Sequence, residues 1–224
     1  TPAQQSKLRD LVRKAAPNLV EQAADSKKQV TLTDRMRGLF KGLLDPIGAF
    51  FNKLGLMPNT MTILGLVGNT VGAYFLARGN MLVGGILILV MGPVDALDGT
   101  MARLRGQPTK FGAFVDSVTD RYSELVIFMG LLFFYLQRGD WLTAGVVYLA
   151  AAGSVLVSYV RARGQSLDYD TKIGILTRFE RYMVLAPALI FNVPWLGVWI
   201  IAIFANLTAV QRILDVRRQA YKEK

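Results

Sequence analysis

Four aspartates, Asp95, Asp98, Asp116 and Asp120, lie inside or at the ends of two strongly apolar runs. The first two are three residues apart and the last two are four apart, so on a helix each pair shares a face. Between the runs, Arg-Leu-Arg-Gly-Gln-Pro-Thr-Lys (103–110) reads as a turn, with Gly106 and Pro108 as breakers. Two antiparallel helices joined there would bring both carboxylate pairs together near the turn. Carboxylates packed ~5 Å apart repel by about 3 kcal/mol per pair at an effective dielectric of roughly 20. A cation has to offset this, and two divalent ions with oxygen ligands suit the cluster. The structural alternative is four helix-end carboxylates paired with Arg103, Arg105, Lys110 and Arg121. Ionisable groups in spanning helices are costly, and four at one end of two adjacent helices point to chemistry.

The rest of the inventory narrows that chemistry. The chain contains neither cysteine nor histidine. Thiolate and imidazole ligands, disulfides and Ser-His-Asp hydrolysis are therefore excluded, and a hard, oxygen-bound metal such as magnesium or manganese is expected. Asp95, Asp98 and Asp116 are the expected metal ligands. Asp120, one turn further along, either completes the second metal site or removes a proton from an incoming hydroxyl. Spacing leaves both roles open.

The run Asp95-x2-Asp98-Gly99-x2-Ala102-Arg103-x8-Gly112-x3-Asp116-x3-Asp120 resembles the signature of the CDP-alcohol phosphotransferases, with all eight fixed positions present. These are integral membrane enzymes of phospholipid synthesis. The resemblance implies nucleotide contacts from Asp98, Gly99, Ala102, Arg103 and Gly112. It extends to Asn59 and Thr62 in Pro58-Asn59-Thr60-Met61-Thr62, which is similar to a Pro-Asn-x-x-Thr stretch of the family. A helix cap would explain that stretch as well. Gly99 and Gly112 would let a ribose or base approach the backbone, and Arg103 offers a planar donor fork to a phosphate oxygen.

A second stretch bears on the acceptor. Ser158-Tyr-Val-Arg161, Lys172-Ile-Gly-Ile and Arg178-Phe-Glu-Arg181 resemble the branch that makes phosphatidylinositol phosphate or archaeal inositol lipids. That resemblance implies an acceptor-phosphate pocket of Ser158, Arg161, Arg181 and Arg212. Positive-inside decoration explains each arginine taken singly. The resemblance also implies CDP-diacylglycerol as donor, inositol phosphate as acceptor and a homodimer.

The elements that must position these groups are helical. With 52% hydrophobic residues and a mean hydropathy of +0.34, the apolar content comes in long blocks, which predicts an all-α integral membrane protein. Six spanning helices are expected over 59–77, 80–101, 111–136, 141–162, 178–192 and 195–216. The fifth is short and interrupted by Pro187. Apolar residues at helical spacing over 33–55, interleaved with Arg35, Arg37, Lys41 and Lys53, predict an amphipathic helix at the membrane surface, bent near Pro46. Residues 1–32 form a polar segment, with a short helix over 3–15 and no signal-peptide core; 33–224 form the membrane-embedded domain.

The net charge of +10 does not indicate nucleic acid. Only Arg78 and Arg138 fall on the side of the short connectors 77–80, 137–140 and 192–194. The positive-inside rule then places both termini and all four aspartates on the cytoplasmic side of the cell membrane.

The expected activity is metal-dependent transfer of a phosphatidyl group from CDP-diacylglycerol to a phosphorylated polyol, with release of CMP. A phosphatidylglycerophosphate synthase is the nearest alternative. A cation or proton transporter is more remote, since transport sites usually lie near the midplane at broken helices. A noncatalytic scaffold would have no use for the full signature.

Overall fold

A computed structural model describes residues 32–106, 109–171 and 173–222. The expectations for residues 1–31 lie outside the described residues, as do Pro108 and Lys172. The chain divides into two units, Thr1–Leu43 and Leu44–Lys224. In the first, the described part is the start of a helix; the second holds everything discussed below.

Among the described residues there are seven helices and no strand: α1 (Leu32–Lys53), α2 (Pro58–Ala77), α3 (Met81–Leu104), α4 (Lys110–Gln137), α5 (Trp141–Gln165), α6 (Arg178–Ile190) and α7 (Pro194–Lys222). The all-α expectation holds. Four of them, α2, α3, α5 and α7, are long and apolar enough to cross a membrane, which makes this a multi-pass membrane protein. Helix α4 has the length but carries Asp116, Asp120, Arg121 and Glu124. Helix α6, expected as a span over 178–192, has 13 residues. At 1.5 Å per residue that is about 20 Å, short of a ~30 Å hydrocarbon core. Both α6 and α1 run on through their prolines, Pro187 and Pro46.

The tight connectors follow from local sequence. Arg-Gly-Asn (78–80) and Arg-Gly-Asp (138–140) make the same turn. Arg78 and Arg138 end α2 and α4, and Gly79 and Gly139 take φ of 83° and 72°. Asn80 and Asp140 then cap the next helix, accepting from the Val83 and Thr143 amides at 3.3 and 3.0 Å. Only glycine adopts that left-handed conformation without a Cβ penalty.

Helix α2 is the hub of one half of the bundle. It packs against both α3 and α4, while α5 packs on α7, and α6 bridges α3 and α7. The expected hairpin of α3 and α4 is therefore splayed, with α2 seated between its arms. Close approach permits this: a Cβ on Gly130 of α4 would fall 2.9 Å from the Ala73 carbonyl carbon of α2. The core beneath contains Leu76, Ile88, Leu131, Val147, Leu189 and Ile201. The second half of α1 is tied to the end of α3. Asn52 donates to the Met101 carbonyl at 3.2 Å, and Arg105 donates to Asn52 Oδ1 at 2.7 Å.

Candidate active site

Helix α3 places Asp95 and Asp98 on one buried face, and α4 supplies Asp116 and Asp120. Asp95, Asp98 and Asp120 are buried and Asp116 is half-buried. Their side chains converge beside α2, where a Cβ on Gly65 would lie 3.5 Å from Asp95 Oδ1. One carboxylate oxygen from each of Asp95, Asp98 and Asp116 lies within 4.8 Å of the others. Three acidic oxygens this close fit a hard divalent cation, which takes oxygen ligands alone.

Each carboxylate is held differently. Asp98 accepts the buried Thr62 hydroxyl of α2 at 2.6 Å on Oδ2 and the Gly99 amide on Oδ1. Asp120 is met by Arg178 Nη1 at 2.5 Å on Oδ2, with Arg121 further off at 3.6 Å. Its Oδ1 is buried without a hydrogen-bond partner. Asp95 receives Arg178 Nη2 at 2.7 Å. One guanidinium thus bridges aspartates from two helices.

That bridging cation was not among those weighed from the sequence. Arg103 instead donates to Thr100 Oγ1 at 2.9 Å, and Arg105 to Asn52 and to the Leu56 carbonyl at 2.5 Å. Among the described residues, Arg121 alone of the four cations expected beside the cluster pairs with one of these aspartates.

Helix α6 makes the arrangement. Its start, Thr-x-x-Glu (177–180), is a capping-box pattern in which the Thr177 amide donates to the Glu180 carboxylate. From its first two turns, Arg178 reaches Asp95 and Asp120. Arg181 forks onto both oxygens of Glu124 at 2.7 and 3.0 Å. Tyr182 donates to the Ile88 carbonyl, one turn before Pro93 in α3. Pro93 lacks the N–H that would bond the Leu89 carbonyl four residues back, and the Tyr182 hydroxyl ties α6 to the neighbouring residue of α3 in the segment that leads to Asp95. Asp120, Glu124, Arg178, Arg181 and Tyr182 also border a cavity of about 20 Å³, room for roughly one water molecule.

Apart from Thr62 and Asp98, which are buried, the expected nucleotide contacts are exposed or half-buried. Asn59 and Arg103 are exposed; Gly99, Ala102 and Gly112 are half-buried. A Cβ on Gly112 would lie 3.9 Å from Asn59 Oδ1, and one on Gly99 would lie 3.5 Å from Arg103 Nη1. Asn59 and Gly112 therefore come together, as do Gly99 and Arg103. Thr62 stands apart, with its hydroxyl committed to Asp98.

The expected acceptor contacts divide in the same way. Ser158 is half-buried and Arg161 exposed, while Arg181 and Arg212 are buried. Arg212 donates to the carbonyls of Val157 at 2.7 Å and Ile173 at 2.9 Å, and Arg181 reaches the Leu176 carbonyl at 3.3 Å. Both arginines thus hold the segment 173–176 in place. Sequence reasoning gave Glu124 and Tyr182 no role and took Arg178 only as part of the acceptor-side stretch, not as a partner of the aspartates. The only local signal for them was a glutamate one turn beyond Asp120 and a basic, capped helix start.

Comparison with known proteins bears on the whole arrangement. The chain is 34% identical over 189 residues to the archaetidylinositol phosphate synthase of Pyrococcus horikoshii, covering 84% of this chain and 98% of that one. It is 36% identical over 200 residues to the phosphatidylinositol phosphate synthase of Streptomyces avermitilis, covering 82% of each. The fold is similar to that of the phosphatidylinositol phosphate synthase of Mycobacterium tuberculosis, at 28% identity. The crystal structure of that protein with CDP-DAG bound gives a TM-score of 0.73 over 77% of this chain and 92% of that one. Its complex with manganese and citrate gives 0.74 over 77% and 88%. Residues 55–210 match the CDP-alcohol phosphatidyltransferase family, so this chain, with its cluster of aspartates between splayed helices, belongs to that family of enzymes.

Proposed function

We propose that this enzyme transfers a phosphatidyl group from CDP-diacylglycerol to a hydroxyl of inositol phosphate, releasing CMP. The observation that carries the reading is the convergence of the Asp95, Asp98 and Asp116 oxygens beside Asp120, whose buried Oδ1 has no partner. Asp95, Asp98 and Asp116 would hold two magnesium or manganese ions, with Asp120 adjoining the second. When bound, these ions supply charge stabilisation on a diphosphate.

The protein's own groups do the rest. Asn59, Gly99, Ala102, Arg103 and Gly112 receive the cytidine nucleotide, and Arg103 offers its guanidinium to a phosphate oxygen. Thr62 holds Asp98 in orientation. Ser158 and Arg161 receive the acceptor phosphate, while Arg181 and Arg212, committed to Glu124 and to backbone carbonyls, lend positive charge and hold the segment 173–176 beside them. Asp120 Oδ1 takes the proton of the acceptor hydroxyl. The hydroxyl oxygen forms a bond to the phosphorus on the lipid side as the bond from that phosphorus to the CMP oxygen breaks. CMP leaves with the electron pair.

In the membrane, α4 and the short α6 join the four apolar helices as six membrane-embedded helices, α6 not reaching across the whole hydrocarbon core, and α1 lies at the interface. Residues 33–224 act as one membrane-embedded domain, the aspartates and both termini face the cytoplasm, and two copies associate as a homodimer. The similarity to archaetidylinositol phosphate and phosphatidylinositol phosphate synthases supports the acceptor assignment. The test is CMP release from CDP-diacylglycerol by purified protein in nanodiscs, with magnesium or manganese and a panel of acceptors. Inositol phosphate should support turnover, and Asp116→Asn or Asp120→Asn should abolish it. Release with glycerol phosphate alone would replace the acceptor assignment with phosphatidylglycerophosphate synthesis. No CMP release under any metal condition would overturn the reading altogether.

A further inference from the structure

We infer that Arg178 is an internal competitor for the metal site. Its guanidinium bridges Asp95 and Asp120, and a divalent cation has to displace it from Asp95. This rests on the reading of Asp95, Asp98 and Asp116 as metal ligands.

Three observations support it. First, Arg178 bridges carboxylates from two helices, at 2.7 Å to Asp95 and 2.5 Å to Asp120. A guanidinium gives each oxygen a charged hydrogen bond but carries one positive charge against the cluster's several negative ones. It therefore relieves the repulsion only in part. Second, Asp95 belongs both to the triad of converging oxygens and to the Arg178 pair, so a dication and the guanidinium share a ligand. Like charges so placed disfavour each other.

Third, Arg178 is the arginine of α6 that can leave. Its side chain is 40% exposed, whereas that of Arg181 three residues on is 2% exposed and locked onto Glu124. Helix α6 itself is pinned by the Arg181–Glu124 fork and by Tyr182 on the Ile88 carbonyl. The guanidinium can therefore swing out by rotation of its own side chain while the helix stays in place. Once off Asp95, it stands beside the cluster as a free donor fork for an anionic ligand.

The test is manganese binding to the purified full chain in detergent without nucleotide, followed by calorimetry and by the electron paramagnetic resonance signal of free Mn²⁺. Arg178→Gln should bind Mn²⁺ at least tenfold more tightly than wild type. It should melt at a lower temperature than wild type in EDTA, and Mn²⁺ should close that gap. Arg178→Lys keeps the charge but cannot fork across two carboxylates, so its Mn²⁺ affinity should fall between the two. Asp116→Asn is the control for the site itself. If Arg178→Gln binds Mn²⁺ no more tightly than wild type while Asp116→Asn loses binding, the competitor role is wrong and the metal site stands. If Asp116→Asn binds Mn²⁺ as wild type does, the reading of the carboxylates as ligands fails.

Discussion

Thr62 donates its hydroxyl to Asp98 across 2.6 Å, joining α2 to α3 at a point where both side chains are buried. The bond explains how a helix seated between the two aspartate-bearing helices contributes to the site without carrying an acid of its own. Replacing Thr62 by Val keeps the shape and removes the donor. A buried acceptor left without its partner costs about 1–3 kcal/mol, so turnover should fall roughly 10- to 100-fold if the loss is felt in the transition state. Thr62→Ser should retain most of the activity. CMP release by the two variants checks this, and equal rates would show that Thr62 only fills space.

The Arg181–Glu124 fork makes a prediction about stability. Arg181 is 2% exposed and Glu124 17%, so Glu124→Gln strands a charge away from water. Removing one partner of a buried ion pair costs about 3–5 kcal/mol, which corresponds to a drop of roughly 6–20 °C in melting temperature at this chain length. The double variant Glu124→Gln/Arg181→Met should recover part of the loss. Thermal unfolding in detergent distinguishes this from a pair of no consequence.

Arg212 is held by two backbone carbonyls, those of Val157 and Ile173. Arg212→Lys keeps the charge but cannot reach both. Hydrogen bonds to charged groups contribute about 1.5–3 kcal/mol, and stability should fall within that range. Because the same bonds fix the segment 173–176 beside the expected acceptor residues, KM for inositol phosphate should rise while KM for CDP-diacylglycerol changes little. Equal rises in both would remove Arg212 from the acceptor side.

Asp140 offers a test of the turn before α5. Its carboxylate accepts the Thr143 amide, which holds its pKa below the ordinary carboxylate value. A depressed pKa means that the contribution to stability is present above the unfolded value, about 3.9, and is lost as pH falls through the folded one. Asp140→Asn keeps a capping oxygen and removes the titration, so its melting temperature should decline less than that of wild type between about pH 5 and pH 3. Parallel declines would show that the cap does not titrate in this range.

Much of the fold was legible in short-range pattern. The observed bounds of α2, α3, α4, α5 and α7 lie close to the expected spans, with the greatest differences at the C-terminal ends of α3, α5 and α7. Hydropathy marks where a helix leaves the hydrocarbon, whereas the hydrogen-bonded helix continues beyond it as long as polar residues can face water. The shortness of α6 was half visible in its polar start and Pro187. The connectors at 78–80 and 138–140 were legible because glycine's conformational freedom and a capping Asn or Asp are properties of single residues.

The sequence by itself determined the chemistry available: oxygen ligands without sulfur or imidazole, four aspartates in two helical pairs, and apolar blocks to embed them. Tertiary structure alone decided which charge answers which. Arg178 finds Asp95 across 83 residues of chain and Arg181 finds Glu124 across 57, separations that helical periodicity does not encode. It also decided that α2 stands between α3 and α4, because glycines such as Gly130 let backbones meet where any side chain would hold them apart. Local spacing sets which face of a helix a carboxylate occupies, but the packing of other helices sets what that face meets.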